Sequence, residues 1–252
     1  MDLDLKDRVV LITGGASGIG AAIVRAVVNE GAAAVIADRS AEHEVARAKV
    51  YVVAGDLTSA ENCRQTVDQT LERFGRLDAL VNNAGVNDRV GLERGNPAEY
   101  VASLQRNLLH YYNMAHYALP ALKDSRGSVV NIASKTAITG QGDTSGYASA
   151  KGAILALTRE WAVELAPYGI RSNAVVPAEV MTPLYRSWLE TFPDPEEKLA
   201  GIVARIPLGK RMTTPDEIAS MVTFLISGKA SHITGQHLYV DGGYVHLDRA
   251  IS

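Results

Sequence analysis

Two side chains able to move a proton stand one helical turn apart in the stretch SGYASAKG, residues 145–152: Tyr147 and Lys151. In a helix, a spacing of four puts both on one face. A free phenol titrates near pH ~10 and is a poor base at neutrality. Lowering it by about two to three units takes about 3–4 kcal/mol in favour of the phenolate, which a neighbouring ammonium can supply. Ala150, Ala153, Ile154, Leu157 and Trp161 form an apolar stripe beside that face, so the sequence predicts a packed, rigid helix under the pair. The small residues around the pair leave room for other molecules. On its own such a pair reads as an ordinary helix contact, and its meaning depends on what else the chain supplies.

The chain supplies a glycine-rich turn and an acid. TGGASGIG, residues 13–20, follows an apolar run and opens a helical pattern. Gly14, Gly18 and Gly20 let the backbone turn tightly and approach a pyrophosphate, and the helix N-terminus offers free N–H groups and a positive dipole end. The spacing is G-x3-G-x-G rather than G-x-G-x-x-G. Asp38 ends the next apolar run, where a carboxylate accepts hydrogen bonds from an adenosine ribose and repels a 2′-phosphate. That favours NAD over NADP; Arg39, directly after it, is the residue that would greet a phosphate instead.

The elements that must hold these groups alternate. RVVLITG (8–14), AAAVIAD (32–38), VYVVAGD (50–56), LDALVNN (77–83), GSVVNIA (127–133), GIRSNAVV (169–176) and QHLYVDG (236–242) read as strands apolar on both faces, the mark of a parallel sheet covered by helices. Helix starts are expected at Thr58-x-x-Glu61, Asn96-Pro97-Ala98-Glu99 and Thr214-Pro215-Asp216-Glu217. The sum is one doubly wound α/β domain over residues 1–252, with about seven strands and helices on both faces. The least regular stretch, 178–211, carries Pro183, Pro193, Pro195 and Pro207 and is expected to be a loop covering the substrate.

Composition excludes several classes. Of 252 residues, 47% are hydrophobic and 21% charged, and the net charge is −3, which fits a globular protein with a sizeable core. No basic run or stripe suggests nucleic acid or a membrane surface, and no apolar run has the length of a membrane span. Cys63 is the single cysteine, so no intrachain disulfide forms, and no His or Cys set has metal-ligand spacing; no metal is expected. MDLDLKDRVV lacks the regions of a signal peptide, which leads to the expectation of a reducing, cytoplasmic setting.

TGGASGIG, NNAG (82–85), Asn107, Ser134, Tyr147 and Lys151 together resemble the motif set of the short-chain dehydrogenase/reductases, over essentially the whole chain. The resemblance implies a Rossmann-type fold and hydride transfer to or from NAD(P). Tyr147 would exchange a proton with the substrate oxygen, and Ser134 would hold that oxygen. Lys151 would support the phenol and grip the nicotinamide ribose, and Asn107 would hold a water linking Lys151 to solvent. It also implies cofactor contacts from Ser17 and Ile19 in the turn, from Asp56 and Leu57 at the adenine, from Asn83, Ala84 and Gly85 beneath the adenosine ribose, and from Pro177, Val180 and Thr182 at the nicotinamide. The family commonly has Pro-Gly where this chain has Pro177-Ala178-Glu179, so the loop is expected to be set differently, with the Glu179 charge beside the ring.

Within the family, NNAGVND, HYYNMAHY, SKTAITGQGDTSGYASAKGA, PAEVMTPLYRSW and DGGYVHLDRA resemble a bacterial subgroup of L-fucose dehydrogenases. This implies oxidation of a sugar at its anomeric carbon to a lactone. Asn87, Lys135, Gln141, Glu179, Tyr185 and Trp188 are the candidate sugar contacts: they are rich in donors and acceptors, where a steroid or acyl site would be apolar. The rival reading is a reductase of keto-acyl or other carbonyl substrates. HYYNMAHY (110–117) reads as a subunit interface, and His110, His116 and His246 as packing or surface groups. By resemblance, YVHLDRAIS (244–252) reaches a neighbouring subunit of a homotetramer.

Overall fold

All seven apolar runs lie in one parallel sheet. The computed structural model describes residues 2–43 and 49–247. Its strands are β1 (Val9–Thr13), β2 (Ala33–Asp38), β3 (Val50–Ala54), β4 (Ala79–Asn82), β5 (Ser128–Ile132), β6 (Arg171–Pro177) and β7 (His237–Val240), in the order β3-β2-β1-β4-β5-β6-β7. β1 pairs with both β2 and β4, so the winding direction reverses there, and a crevice opens beyond the carboxyl ends of the strands.

The sheet is buried on both sides because alternate residues feed two separate cores. Val10 and Ile12 of β1 face one side with Ala34, Ile36, Val81 and Val130, against helices α1 (Gly18–Asn29) and α8 (Pro215–Ile226). Val9 and Leu11 face the other with Val35, Leu80, Val129 and Val176, against α2 (Ala60–Phe74), α4 (His110–Ser125) and α5 (Ser145–Leu165). This period of two, apolar in both phases, is why the strands read as unbroken hydrophobic runs. Cys63 lies wholly inside the second core, its thiol raised to about 11 by burial.

α3 (Pro97–Leu104) starts on Asn96, whose side chain accepts from the Glu99 N–H, with Pro97 in the first turn. α8 starts on a complete capping box between Thr214 and Glu217. α2 corrects the sequence expectation. Its cap is Ser59, accepting from the Asn62 N–H, while the Thr58 N–H is held by Asp56 Oδ1 at 3.0 Å, where the reciprocal bond to Glu61 was expected. Residues 178–211 are likewise less irregular than expected: α6 (Pro183–Leu189) and α7 (Pro195–Val203) occupy much of the stretch, each with Pro in its first turn.

α3 runs into α4 through one turn of π-helix, Gln105–Leu109. On α5, Ala150, Ile154 and Trp161 are buried as the stripe required. Ala153 and Leu157 are only partly buried, and Leu155 and Thr158 are buried with the core instead. At the end of the sheet away from the crevice, burial pushes the Asp78 carboxyl up, but hydrogen bonds from Arg76, the Val9 N–H and Arg8 outweigh it and hold it below its ordinary value.

Candidate active site

A cavity of about 750 Å³ fills the crevice at the carboxyl ends of β1, β2, β4 and β5. The glycine-rich turn forms one wall. Gly14 takes φ 66°, and a Cβ there would meet the Ala84 Cα at 2.9 Å; a Cβ on Gly20 would sit 2.0 Å from the Gly14 carbonyl. Only glycine lets turn, helix and the NNAG segment close on one another. Asn83 locks the turn, its Nδ2 donating to the Thr13 and Gly14 carbonyls at 3.0 Å each. The Thr13 hydroxyl accepts from the N–H groups of Asn83 and Ala84 at 2.9 and 3.0 Å, a pin that sequence reading passed over because threonine in a strand is unremarked.

The chemistry of this wall suits an anion. α2, α3, α6, α7 and α8 each have a side chain capping the first turn. At α1, Ser17 makes no such bond and no acidic residue lies in the first turn, so N–H groups and dipole face the cavity unblocked. Asp38 stands beside it, its carboxylate accepting from the Ala16 N–H at 3.2 Å and from the Ser40 N–H at 3.4 Å. Arg39 is exposed on the rim. Asp56 marks the next corner, its carboxyl held low by the Thr58 N–H and then the Thr58 hydroxyl. Every residue expected to contact the cofactor lines this one cavity.

The catalytic candidates meet at its inner end. Ser134 caps a single 3₁₀ turn (Lys135–Ala137), its oxygen accepting from the Thr136 N–H and hydroxyl at 3.3 and 3.1 Å. Its own proton is therefore free to be donated, and the hydroxyl lies close enough to Tyr147 to favour the ionised phenol. Lys151 Nζ lies 5.5 Å from the centre of the Tyr147 ring. Burial overrides the expected activation of the phenol in the free protein: it raises Tyr147 to about 12, the Ser134 hydroxyl pulling the other way. Burial also lowers Lys151 to about 7.

Lys151 is fastened to the Ile132 carbonyl at 2.7 Å and to the Tyr111 hydroxyl at 3.0 Å, a partner not foreseen from sequence. Tyr111 is fully buried and donates in turn to the Ile132 carbonyl at 3.0 Å. Asn107, also fully buried, spends its side chain on structure: Oδ1 accepts from the Val86 N–H at 2.7 Å and Nδ2 donates to the Ser103 carbonyl at 3.1 Å. It thus clamps the NNAG segment to the helix, and only its main chain is left to hold a water. His110, expected as a packing or surface group, is packed: it is 1% exposed, its ring lies against Tyr111, and it borders the cavity.

The six candidate sugar contacts divide. Asn87 and Tyr185 line the cavity. Lys135 and Glu179 form a largely buried ion pair next to Ser134, and Glu179 Oε2 also accepts from the Tyr185 hydroxyl at 2.7 Å. The Lys135 ammonium stands 4.2 Å from the centre of the Tyr244 ring. The Glu179 charge is therefore answered by Lys135 instead of standing bare beside the ring. Ala178, in the family's usual glycine position, has no left-handed backbone to strain it. Trp188 packs edge-on against Tyr185 and Phe192, behind the cavity wall. Gln141 is exposed and is not brought to the cavity.

Residues 14–245 match the family model described as enoyl-(acyl carrier protein) reductase. The chain belongs to the short-chain dehydrogenase/reductase family. It is 39% identical over 243 residues to an L-fucose dehydrogenase from Bos taurus, covering 94% of this chain and 88% of that protein. It is 35% identical over 250 residues to a 3-oxoacyl-[acyl-carrier-protein] reductase from Thermotoga maritima, covering 96% and 99%. The solved structure of Cj0485 dehydrogenase superposes with a TM-score of 0.95 at 46% identity, covering 99% of this chain and 98% of that one. As a short-chain dehydrogenase/reductase the protein is an oxidoreductase, and relatives of the family use nicotinamide cofactors. The uncapped α1 terminus, the glycine cradle and the Asp38 corner fit such a group.

Proposed function

We propose that the protein oxidises an aldose at its anomeric carbon to a lactone with NAD, L-fucose being the first candidate. The observation that carries the reading is the Lys135–Glu179–Tyr185 cluster, polar and largely enclosed, set beside Ser134 where the far end of a substrate would lie. A ring with several hydroxyls finds polar groups of both kinds there, whereas a site for an acyl chain would be apolar. The identity to L-fucose dehydrogenases supports the same substrate class.

The cofactor, when bound, supplies the hydride acceptor. Ser134 and Tyr147 hold the anomeric hydroxyl; as hydride leaves the carbon, Tyr147 takes the hydroxyl proton and the carbonyl of the lactone forms. Lys151 keeps a positive charge by the phenol, grips the nicotinamide ribose and favours proton movement away from the substrate. Asn107 and Thr13 act at one remove, by holding the NNAG segment in place. NAD is preferred over NADP because the Asp38 carboxylate would face a 2′-phosphate.

The test is a screen for reduced cofactor over aldoses, polyols and hydroxyacyl compounds, with NAD and NADP in parallel. Oxidation of an aldose that falls sharply when one ring hydroxyl is inverted is the expected result, as is a sugar KM raised by Glu179→Ala with cofactor affinity unchanged. The second reading, a keto-acyl or general carbonyl reductase, draws on the Thermotoga relative. It would prevail if no aldose reacts and acyl or hydrophobic alcohols turn over.

A further inference from the structure

Lys151 is a buried ammonium that no carboxylate answers. It is 2% exposed, and among the described residues its hydrogen bonds go to two neutral oxygens, the Ile132 carbonyl at 2.7 Å and the Tyr111 hydroxyl at 3.0 Å. Burial pushes it toward the uncharged amine and brings it to about 7. A lysine so placed keeps or loses its charge near neutrality according to what those two oxygens offer.

The direction of each bond is set by chemistry. An ammonium has three protons and no lone pair, so Lys151 donates to Tyr111. A carbonyl only accepts, so the Tyr111 proton goes to Ile132, at 3.0 Å, and the two lone pairs of that carbonyl serve Tyr111 and Lys151 together. With its proton committed there, Tyr111 turns only a lone pair toward Lys151. Charge tightens this triangle, because bonds from an ionised donor are roughly twice as strong as those from a neutral one. Two acceptors at separate points also fix the rotation of the ammonium, which leaves its third N–H for the cavity that Lys151 lines.

The frame around the triangle is tied down. Tyr111 is fully buried on α4, just beyond the π turn, while its neighbour Tyr112 is exposed. Asn131, next to Ile132 on β5, accepts from Asn82 Nδ2 of β4 at 3.0 Å and donates to Thr158 Oγ1 of α5 at 3.0 Å. The strand carrying the shared carbonyl is thus fastened to the helix carrying Lys151. We infer that Tyr111 is a positioning residue, whose hydroxyl holds Lys151 charged and turned toward the cofactor. The inference rests on the role of Lys151 proposed above.

The titratable groups facing Lys151 are Tyr147 on its own helix, with its ring centre 5.5 Å from Nζ, and Tyr111 and His110 on α4. β5 offers the Ile132 carbonyl; Asp56 bears on His110, and Asp88 on Tyr147. Burial holds Tyr147 up at about 12 and Tyr111 well above its ordinary value; burial, then the Lys151 charge, holds His110 down to about 4. None of these three changes charge between pH 5.5 and pH 9, so a charge lost there over that range is that of Lys151.

Tyr111→Phe keeps the buried ring and leaves one Lys151 N–H without an acceptor. The acceptor favours the charged form, so without it the proton leaves earlier as pH rises. In ligand-free protein labelled with carbon-13 at the lysine Cε, the Lys151 signal, assigned by its loss in Lys151→Met, should titrate about one pH unit lower in Tyr111→Phe. NAD affinity, followed by calorimetry from pH 5.5 to pH 9, should match wild type at the acid end and fall about tenfold at the alkaline end, one pH unit being tenfold in the charged form. Tyr112→Phe, on the exposed neighbour, should change neither. An unmoved midpoint overturns the inference, as does an affinity lowered equally at every pH, the mark of a merely structural loss. Lys151→Met tells this failure from that of the reading beneath it, which falls if that variant binds NAD as wild type does. A crystal structure with NAD gives a readout free of variants: Nζ bonded to Tyr111 and Ile132 with its third N–H on the cofactor is expected, and an Nζ turned away from Tyr111 refutes the inference.

Discussion

In the proposed reaction Tyr147 acts through one oxygen. Its ring is partly buried and lines the cavity, and Phe keeps that ring, so Tyr147→Phe removes the proton acceptor and little else. Turnover should drop by about 10²–10⁴-fold with NAD still bound, checked by steady-state rates beside cofactor titration. The burial that raises this phenol also leaves a mark on stability through His110. Unfolded, its imidazole takes up a proton near pH 6.5; folded, it resists until about pH 4. As pH falls between those values the unfolded chain binds more protons, and the native state loses roughly 3 kcal/mol, with no further loss below pH 4. Urea unfolding at pH 7 and pH 4.5 should show wild type losing more stability than His110→Asn. An equal loss would mean that His110 is protonated in the folded protein.

Helix ends show what can and cannot be read in advance. The capping box of α8 is visible in sequence and present in the fold, with Glu217 Oε2 2.8 Å from the Thr214 N–H. Thr214→Ala should cost about 1 kcal/mol, a fall in Tm of about 2–4 °C by calorimetry. The same signature at Thr58 misleads, because Thr58 and Ser59 are both competent caps, and Asp56 holds the Thr58 N–H that Glu61 would take in a capping box. The strands were legible because both faces are covered, and the nucleotide wall because glycines at a strand-to-helix turn have few other uses. His110 and Tyr111 were not. They follow a π-helical turn, and one added residue rotates everything beyond it by about 100°, so a period read across α3 and α4 assigns the wrong faces. Thr13 and Asn131 escaped for another reason: their parts are played through hydrogen bonds whose partners lie distant in the chain.

At the scale of the whole molecule, several apolar groups left in water lie on the helices that cover one face of the sheet. Val101 of α3, Leu109 of the π turn, Tyr112 of α4 and Val163 of α5 are all exposed, Val163 at 74%. Such a surface is a candidate contact between copies, and a tetramer is the state expected from the family resemblance. Light scattering should therefore report four chain masses, and Val163→Glu together with Tyr112→Glu should reduce them without loss of the fold by circular dichroism. A wild-type chain that elutes as a monomer would remove this proposal. The tail expected to reach a neighbour lies, from residue 248 on, outside the described residues. Among the described residues no helix is long and apolar enough to cross a membrane.

The isolated bridge between Val180 and Thr213 gives the segment carrying α6 and α7 two ends that touch. A stretch that leaves and rejoins a fold at one point behaves as a cassette. Transplanting the corresponding residues of a relative should change what lies over the crevice while the strands and Lys151 stay as they were, provided that Thr182, which packs beside Gly18 of the glycine turn, is kept. The Asp78 fastening lies at the far end of the sheet, so an exchanged cassette does not disturb it. The architecture thus lets the cover of the crevice change as one piece between two neighbouring ends.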